Sequence, residues 1–192
     1  MPAGEHATVT DESLVACVRS GDTVAYGSLM ERYMARMQRY IRKFLFGHED
    51  AEDIAQEVFT KAYVHLNQFD ASRSFSTWLY RIAHNECINA IKRKQREPIP
   101  FFDPDTLFPH PVARETPRDH VERVELRMLV ETSLEQLAPK YREPVVLYYF
   151  EERSYREIAD IMRIPVATVG VRLARARTLL AAAHVRDAAG HP

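Results

Sequence analysis

Proline rules this chain's architecture. Six of the eleven prolines fall within residues 98–117, in the stretch EPIPFFDPDTLFPHPVARETPR. Each removes a backbone donor and pushes the preceding residue away from the helical region, so neither a long helix nor a central strand fits there. Residues 97–118 therefore read as a linker between two segments, 10–96 and 119–185. Its Phe101, Phe102, Leu107 and Phe108 either pack loosely or bind a partner's groove, and for each of them singly the first reading is favoured. A chain of 192 residues has room for two small domains of this size.

Both segments carry helical periodicity. Ala51, Ile54, Ala55, Val58, Phe59, Ala62 and Leu66 recur at the 3.6-residue spacing of one helix face. Asp22 is placed to cap a helix running to about Phe46, and Ser74 one running to about Arg96. Asp119 opens a helix predicted to reach about Leu137, and Pro139 stands at the start of the next. Only six glycines are present, and no alternating strand pattern of useful length occurs. The expected fold is all-α, two small helical domains.

A net charge of −1 conceals a strong pattern. Residues 1–70 carry a net −4 and residues 71–100 a net +4, then 101–151 a net −4 and 152–192 a net +3. Nucleic-acid affinity follows local positive patches rather than the total. The longest apolar run, 144–150, is far below the ~20 residues a bilayer span needs. Residues 1–10 lack the pattern of a secretory signal. Cys17 and Cys87 stand far apart, which argues against a disulfide framework. A cytoplasmic protein without direct membrane insertion is expected.

Two constellations carry chemistry. Ser154-Tyr-Arg-Glu157 is a capping box opening a short helix, followed by a break at 163–165 and a second striped helix. That is a helix-turn-helix arrangement. Val169, Leu173, Ala176 and Leu180 share the inner side of the second helix. Thr168, Val171, Arg172 and Arg175 share the other, which is predicted to face outward into a major groove. The other constellation is the segment 75–96. Phe75, Leu79, Ile82, Ala83 and Ala90 point inward on its wheel. Arg81, Asn85, Asn89, Lys92 and Arg96 form a polar arc with Trp78 at its edge. Cations for phosphates beside flat rings for bases are what an unpaired strand requires.

With both constellations in one chain, the sequence resembles an extracytoplasmic-function sigma factor of bacterial RNA polymerase. The resemblance runs from about Asp11 to about Ala183 and rests on DAEDIAQEVFTKAY (50–63), FSTWLYRIAHNECINAIKRK (75–94) and LAPKYREPVVLYYFEERSYREIADIMRIPVATVGVRLARAR (137–177). It implies an alternative sigma factor that directs promoter-specific initiation. Segment 10–96 corresponds to region 2, which binds the polymerase clamp and melts the −10 element. Segment 119–185 corresponds to region 4, which reads the −35 element and sits on the polymerase flap.

The same resemblance assigns clamp binding to Asp53, Gln56 and Glu57. It places Phe75, Trp78, Arg81, Asn85, Asn89, Lys92 and Arg93 at the −10 DNA, with the 70–76 loop capturing a flipped base. At the −35 element it places Arg156, Thr168, Val171, Arg172 and Arg175. Arg163 stands where the family usually has glycine, and Gly170 and Val171 where it more often has a basic residue and serine. Specificity is accordingly expected to rest on Arg172 and Arg175. Core polymerase, promoter DNA and an anti-sigma factor are the implied partners. Such an inhibitor, if membrane-bound, would hold the chain at the membrane rather than the nucleoid.

Other functions fit less well. Phosphate-binding and nucleophile-elbow glycine motifs are missing. His84 and Cys87, three residues apart, have no second ligand pair nearby, so no metal, no cofactor and no catalytic residue is expected. A helix-turn-helix regulator with a helical sensing domain is the alternative. The aromatic–basic helix 75–96 has no use in such a sensor.

Overall fold

The computed structural model describes residues 9–46, 51–94 and 133–189. Seven α-helices occur among them: α1 (Asp11–Arg19), α2 (Thr23–Leu45), α3 (Ala51–His65), α4 (Phe75–Lys94), α5 (Pro139–Val145), α6 (Tyr155–Met162) and α7 (Val166–Ala189). Short 3-10 turns span Leu66–Gln68 and Leu134–Gln136, and a π-helical turn spans Val146–Phe150. The described residues contain no strand. The linker 97–118 and the predicted helix from Asp119 lie outside the described residues up to 132. By Leu134 the chain is in a 3-10 turn and Leu137 is extended, so that helix does not run on to Leu137.

Local chemistry sets the boundaries. Asp22 accepts from the backbone N–H groups of Val24 (2.9 Å) and Ala25 (3.3 Å), two of the donors a helix start leaves unpaired. Gly21 makes the turn from α1 at φ +103°, a conformation that only glycine adopts without strain. Ser74 Oγ accepts from Thr77 N–H at 3.3 Å and starts α4. Pro139 occupies the first turn of α5, where its missing donor costs nothing. Pro144 lies inside α5, and the wider π turn follows directly after it.

Helices α1–α4 pack around Leu29, Met37, Ile41, Ala55, Val58, Leu79 and Ala83, all fully buried. At one end Phe69, Phe75 and Trp78 stack at centroid distances of 5.2–5.7 Å, and Tyr33 meets Phe75 at 5.7 Å. Each such ring pair adds about 0.5–1.5 kcal/mol beyond its burial. The second segment packs α5 and α6 on α7 through Val145, Leu147, Ile158, Val169, Leu173 and Ala176.

The two segments also meet. α5 and the π turn lie on α2, and α6 lies on α4. The Arg142 guanidinium donates to the carbonyls of Leu134, Glu135 and Leu137 and, across the boundary, to Phe44 at 3.1 Å. It closes the last turn of α2 while pinning the approach to α5. No helix among the described residues is long and apolar enough to cross a membrane.

Candidate nucleic-acid interface

Along α4 the side chains of Asn85, Asn89, Lys92 and Arg93 are exposed in a row, while Leu79, Ala83, Cys87 and Ala90 hold the opposite face in the core. Trp78 is half-buried at the start of this row. Before it, Asp70 folds the connecting loop by accepting from Ser72 N–H (3.0 Å) and Ser72 Oγ (2.7 Å). These bonds favour the ionised form and lower the Asp70 pKa. The loop, Trp78 and Arg81 line one side of a cleft of about 620 Å³, and Arg156, Glu157 and Asp160 of α6 line the other. Aromatic rings and the cations Arg73, Arg81 and Arg156 thus converge on one cavity.

The α6–α7 pair is built as the capping box requires. Ser154 Oγ accepts from Glu157 N–H at 3.3 Å, and the Glu157 carboxylate accepts from Ser154 N–H (2.9 Å) and Oγ (2.8 Å). Burial opposes ionisation of Glu157, but these bonds and Arg153 lower its pKa. Arg163 ends α6 in the left-handed region, φ 54° and ψ 46°, with its N–H on the Ala159 carbonyl. Thr168 N–H bonds to the Pro165 carbonyl at 2.9 Å and begins α7.

This helix-turn-helix beside an amide–cation row has relatives. Residues 29–97 match the model of Sigma-70 region 2, and residues 127–180 that of Sigma-70, region 4. The ECF RNA polymerase sigma factor SigW of Bacillus subtilis is 37% identical over 171 residues, 85% of this chain and 90% of that protein. The chain belongs to the ECF sigma factors. The ECF RNA polymerase sigma-E factor of Escherichia coli is 35% identical over 176 residues, 88% of this chain and 91% of that one. The structure of CnrH in complex with the cytosolic domain of CnrY is similar with a TM-score of 0.67 at 28% identity, covering 92% of this chain and 98% of that chain. The chain is therefore an alternative sigma factor acting in transcription initiation, and its family is one of regulators.

The side chains expected at the interface of this sigma factor divide into two groups. Asn85, Asn89, Lys92, Arg93, Arg156 and Arg175 are exposed as expected. Asp53 and Gln56 are exposed and Glu57 half-buried on the outer face of α3, opposite the buried Ile54, Val58 and Phe59. Glu57 pairs with Lys61 at 3.1 Å, and Lys61 also reaches Glu86 at 2.6 Å.

Three residues of the recognition helix depart from the expectation. Thr168, Val171 and Arg172 are buried, not outward-facing. A helical wheel assigns one inner side, but the first turns of α7 are buried on a second side as well, and the His84 imidazole of α4 lies within electrostatic reach of Arg172 and Arg163. Phe75, expected at the −10 DNA, is a core residue. Arg81 is half-buried and ion-paired to Asp160. His84 and Cys87 are not a ligand pair: Cys87 is buried, its thiol pKa raised by burial, and His84 Nδ1 bonds Glu143 at 2.6 Å.

A further set went unnoticed in the sequence. Tyr40 donates to Glu143 at 2.7 Å, Tyr80 donates to Glu151, and Arg153 donates to Ser76 Oγ at 2.6 Å. Arg153 also lies 4.5 Å over the Tyr80 ring. Arg36 and Arg39 each approach Glu151 at 3.9 Å. The available signal was two acids bracketing an apolar run, Glu143-Pro-Val-Val-Leu-Tyr-Tyr-Phe-Glu151, whose carboxylates need partners if that run is buried.

Proposed function

We propose that this sigma factor binds core RNA polymerase, recognises the −10 and −35 elements, and holds melted DNA without catalytic chemistry of its own. Residues 10–96 serve as region 2, 97–118 as the linker and 119–185 as region 4. The observation that carries this reading is the exposed Asn85, Asn89, Lys92 and Arg93 row running from the Trp78 cleft, in one chain with a capped helix-turn-helix. Amide groups read base edges, cations hold phosphates, and the aromatic end of the row offers stacking for an unpaired base. Extruding that base costs a few kcal/mol, which the Asp70–Ser76 loop and the cleft offset.

Asp53, Gln56 and Glu57 form the clamp contact, an acidic and amide face suited to a basic polymerase surface. Arg175 and Arg156 contact the −35 DNA from the exposed side. Thr168, Val171 and Arg172 reach it only after their present cover is removed. The site of action is the cytoplasm, where polymerase and DNA are. CnrH forms a complex with the cytosolic domain of CnrY, which supports an anti-sigma factor as a regulatory partner here.

Transcription in vitro with core polymerase over a promoter library tests the function. Initiation from a subset of promoters sharing −10 and −35 motifs is expected. Duplex binding without polymerase and no initiation with it would instead favour the helix-turn-helix regulator.

A further inference from the structure

One cation of the first domain acts on a surface it does not belong to. Helix α3 carries Glu52, Asp53 and Glu57 and, as its one lysine or arginine, Lys61. The Lys61 ammonium donates to Glu86 Oε2 of α4 at 2.6 Å and pairs with Glu57 Oε1 at 3.1 Å. The two carboxylates differ in burial: the Glu57 side chain is 39% exposed and that of Glu86 only 7%. Among the described residues, Lys61 is the hydrogen-bond and ion-pair partner of Glu86. The Glu86 bond raises the Lys61 pKa, with Glu57 adding to it against burial, so the ammonium is firmly charged.

Glu86 lies beside the amide–cation row of α4. It follows Asn85 directly, and Asn89 and Arg93 stand three and seven residues further on, so Glu86, Asn89 and Arg93 share one edge of the helix. At about 1.5 Å of rise per residue, position 86 is about 5 Å along the axis from Asn89 and about 10 Å from Arg93. A carboxylate there without its cation would repel the same phosphates that Lys92 and Arg93 attract. Screening does not remove that repulsion, since the Debye length is about 10 Å at 0.1 M salt and buried charges are screened less.

We propose that Lys61 is a positioning residue of the −10 surface: by cancelling Glu86 it lets the Asn85, Asn89, Lys92 and Arg93 row present a net positive charge to DNA, without touching the strand itself. This rests on the function proposed above. The second bond, to Glu57, holds the ammonium at the boundary between the acidic face of α3 and the row of α4. A basic polymerase group drawn to the exposed Glu57 leaves the shorter and more buried Glu86 bond in place, so Lys61 serves the row with the clamp face occupied or free.

Lys61→Met tests it, since methionine keeps most of the side chain's length and removes its charge. Holoenzyme is assembled at saturating core polymerase. Its affinity for a single strand carrying the −10 motif found by library transcription is measured by fluorescence anisotropy, relative to a scrambled strand, at about pH 8, where carboxylates are ionised. An uncancelled charge about 10 Å from bound phosphates is expected to weaken binding about threefold to tenfold at ~0.05 M salt, with the loss shrinking as salt rises toward ~0.5 M. Lys61→Met combined with Glu86→Gln removes both charges and should bind as the unmodified protein does. Lys61→Arg, which keeps the cation, should do the same. A role in the fold alone would leave the double variant as weak as Lys61→Met and the loss independent of salt; either result overturns the inference. If circular dichroism shows Lys61→Met to be misfolded, Lys61→Gln, whose amide still donates to Glu86 but carries no charge, takes its place with the same expectations. Should the unmodified holoenzyme not bind the strand, the proposed −10 function falls and this inference with it. An unmodified holoenzyme that binds, beside a Lys61→Met one that binds equally well, overturns this inference alone.

Discussion

Glu143 is the residue through which the contact between the two segments is most open to measurement. Its carboxylate accepts Tyr40 Oη at 2.7 Å and meets His84 Nδ1 at 2.6 Å, and it is almost wholly buried. Glu143→Ala strands both partners. A buried donor left without an acceptor costs about 1–3 kcal/mol. With Tyr40 fully buried and His84 partly exposed, the expected loss is about 2–4 kcal/mol in chemical denaturation.

Glu143→Gln separates the two interactions, because the amide oxygen still accepts from Tyr40 but carries no charge for His84. Burial disfavours the His84 cation and so do Arg172 and Arg163, yet Glu143 more than offsets them and raises its pKa above the ordinary 6.5. A raised folded pKa stabilises fully below 6.5 and loses that contribution as pH rises through the raised value. In Glu143→Gln only the opposing causes remain, so His84 should titrate below its ordinary value and the variant should lose stability as pH falls. The gap between the two proteins is therefore widest in acid and narrows toward pH ~8. Denaturation series between about pH 5 and 8 measure it. A gap that does not change with pH, or an alanine cost under ~1 kcal/mol, would refute the reasoning.

Three further outcomes are expected. Reversing Asp53 and Glu57 together to Lys should weaken core-polymerase binding in a pull-down titration while the helical circular dichroism spectrum stays the same, since both side chains lie on the outer face of α3. Arg175→Ala should relax preference at one −35 base pair, at about 1–3 kcal/mol for a lost bidentate contact, whereas Arg156→Ala should lower all promoters alike; library transcription by both variants distinguishes them. Arg163→Gly should stabilise the chain by up to about 1 kcal/mol in thermal melts, because a side chain at φ 54° carries a strain of about 1–2 kcal/mol that glycine avoids at some entropic cost.

The elements that were legible in the sequence owe their form to neighbours in the chain. Asp22 caps α2, Ser154 and Glu157 close the capping box, Pro139 opens α5, and the stripe 51–66 buries its apolar face; each depends on residues within a turn or two. The exposed amide row of α4 and the acidic face of α3 follow the same logic, since a face with no apolar residues has nothing to bury. The helix expected to reach about Leu137 gives way to a 3-10 turn at Leu134–Gln136, where Ser133 stands at the N-cap but makes no side-chain capping bond.

Tertiary structure alone decided which polar side chains meet. Tyr40 and Glu143 are 103 positions apart, and Arg81 and Asp160 are 79, so no local pattern couples them. The wheel of α7 correctly gave Val169, Leu173, Ala176 and Leu180 an inner side. It could not show that Thr168, Val171 and Arg172 would be buried as well. One amphipathic face is a property of a helix and its own sequence; burial of the other face is a property of whatever packs against it.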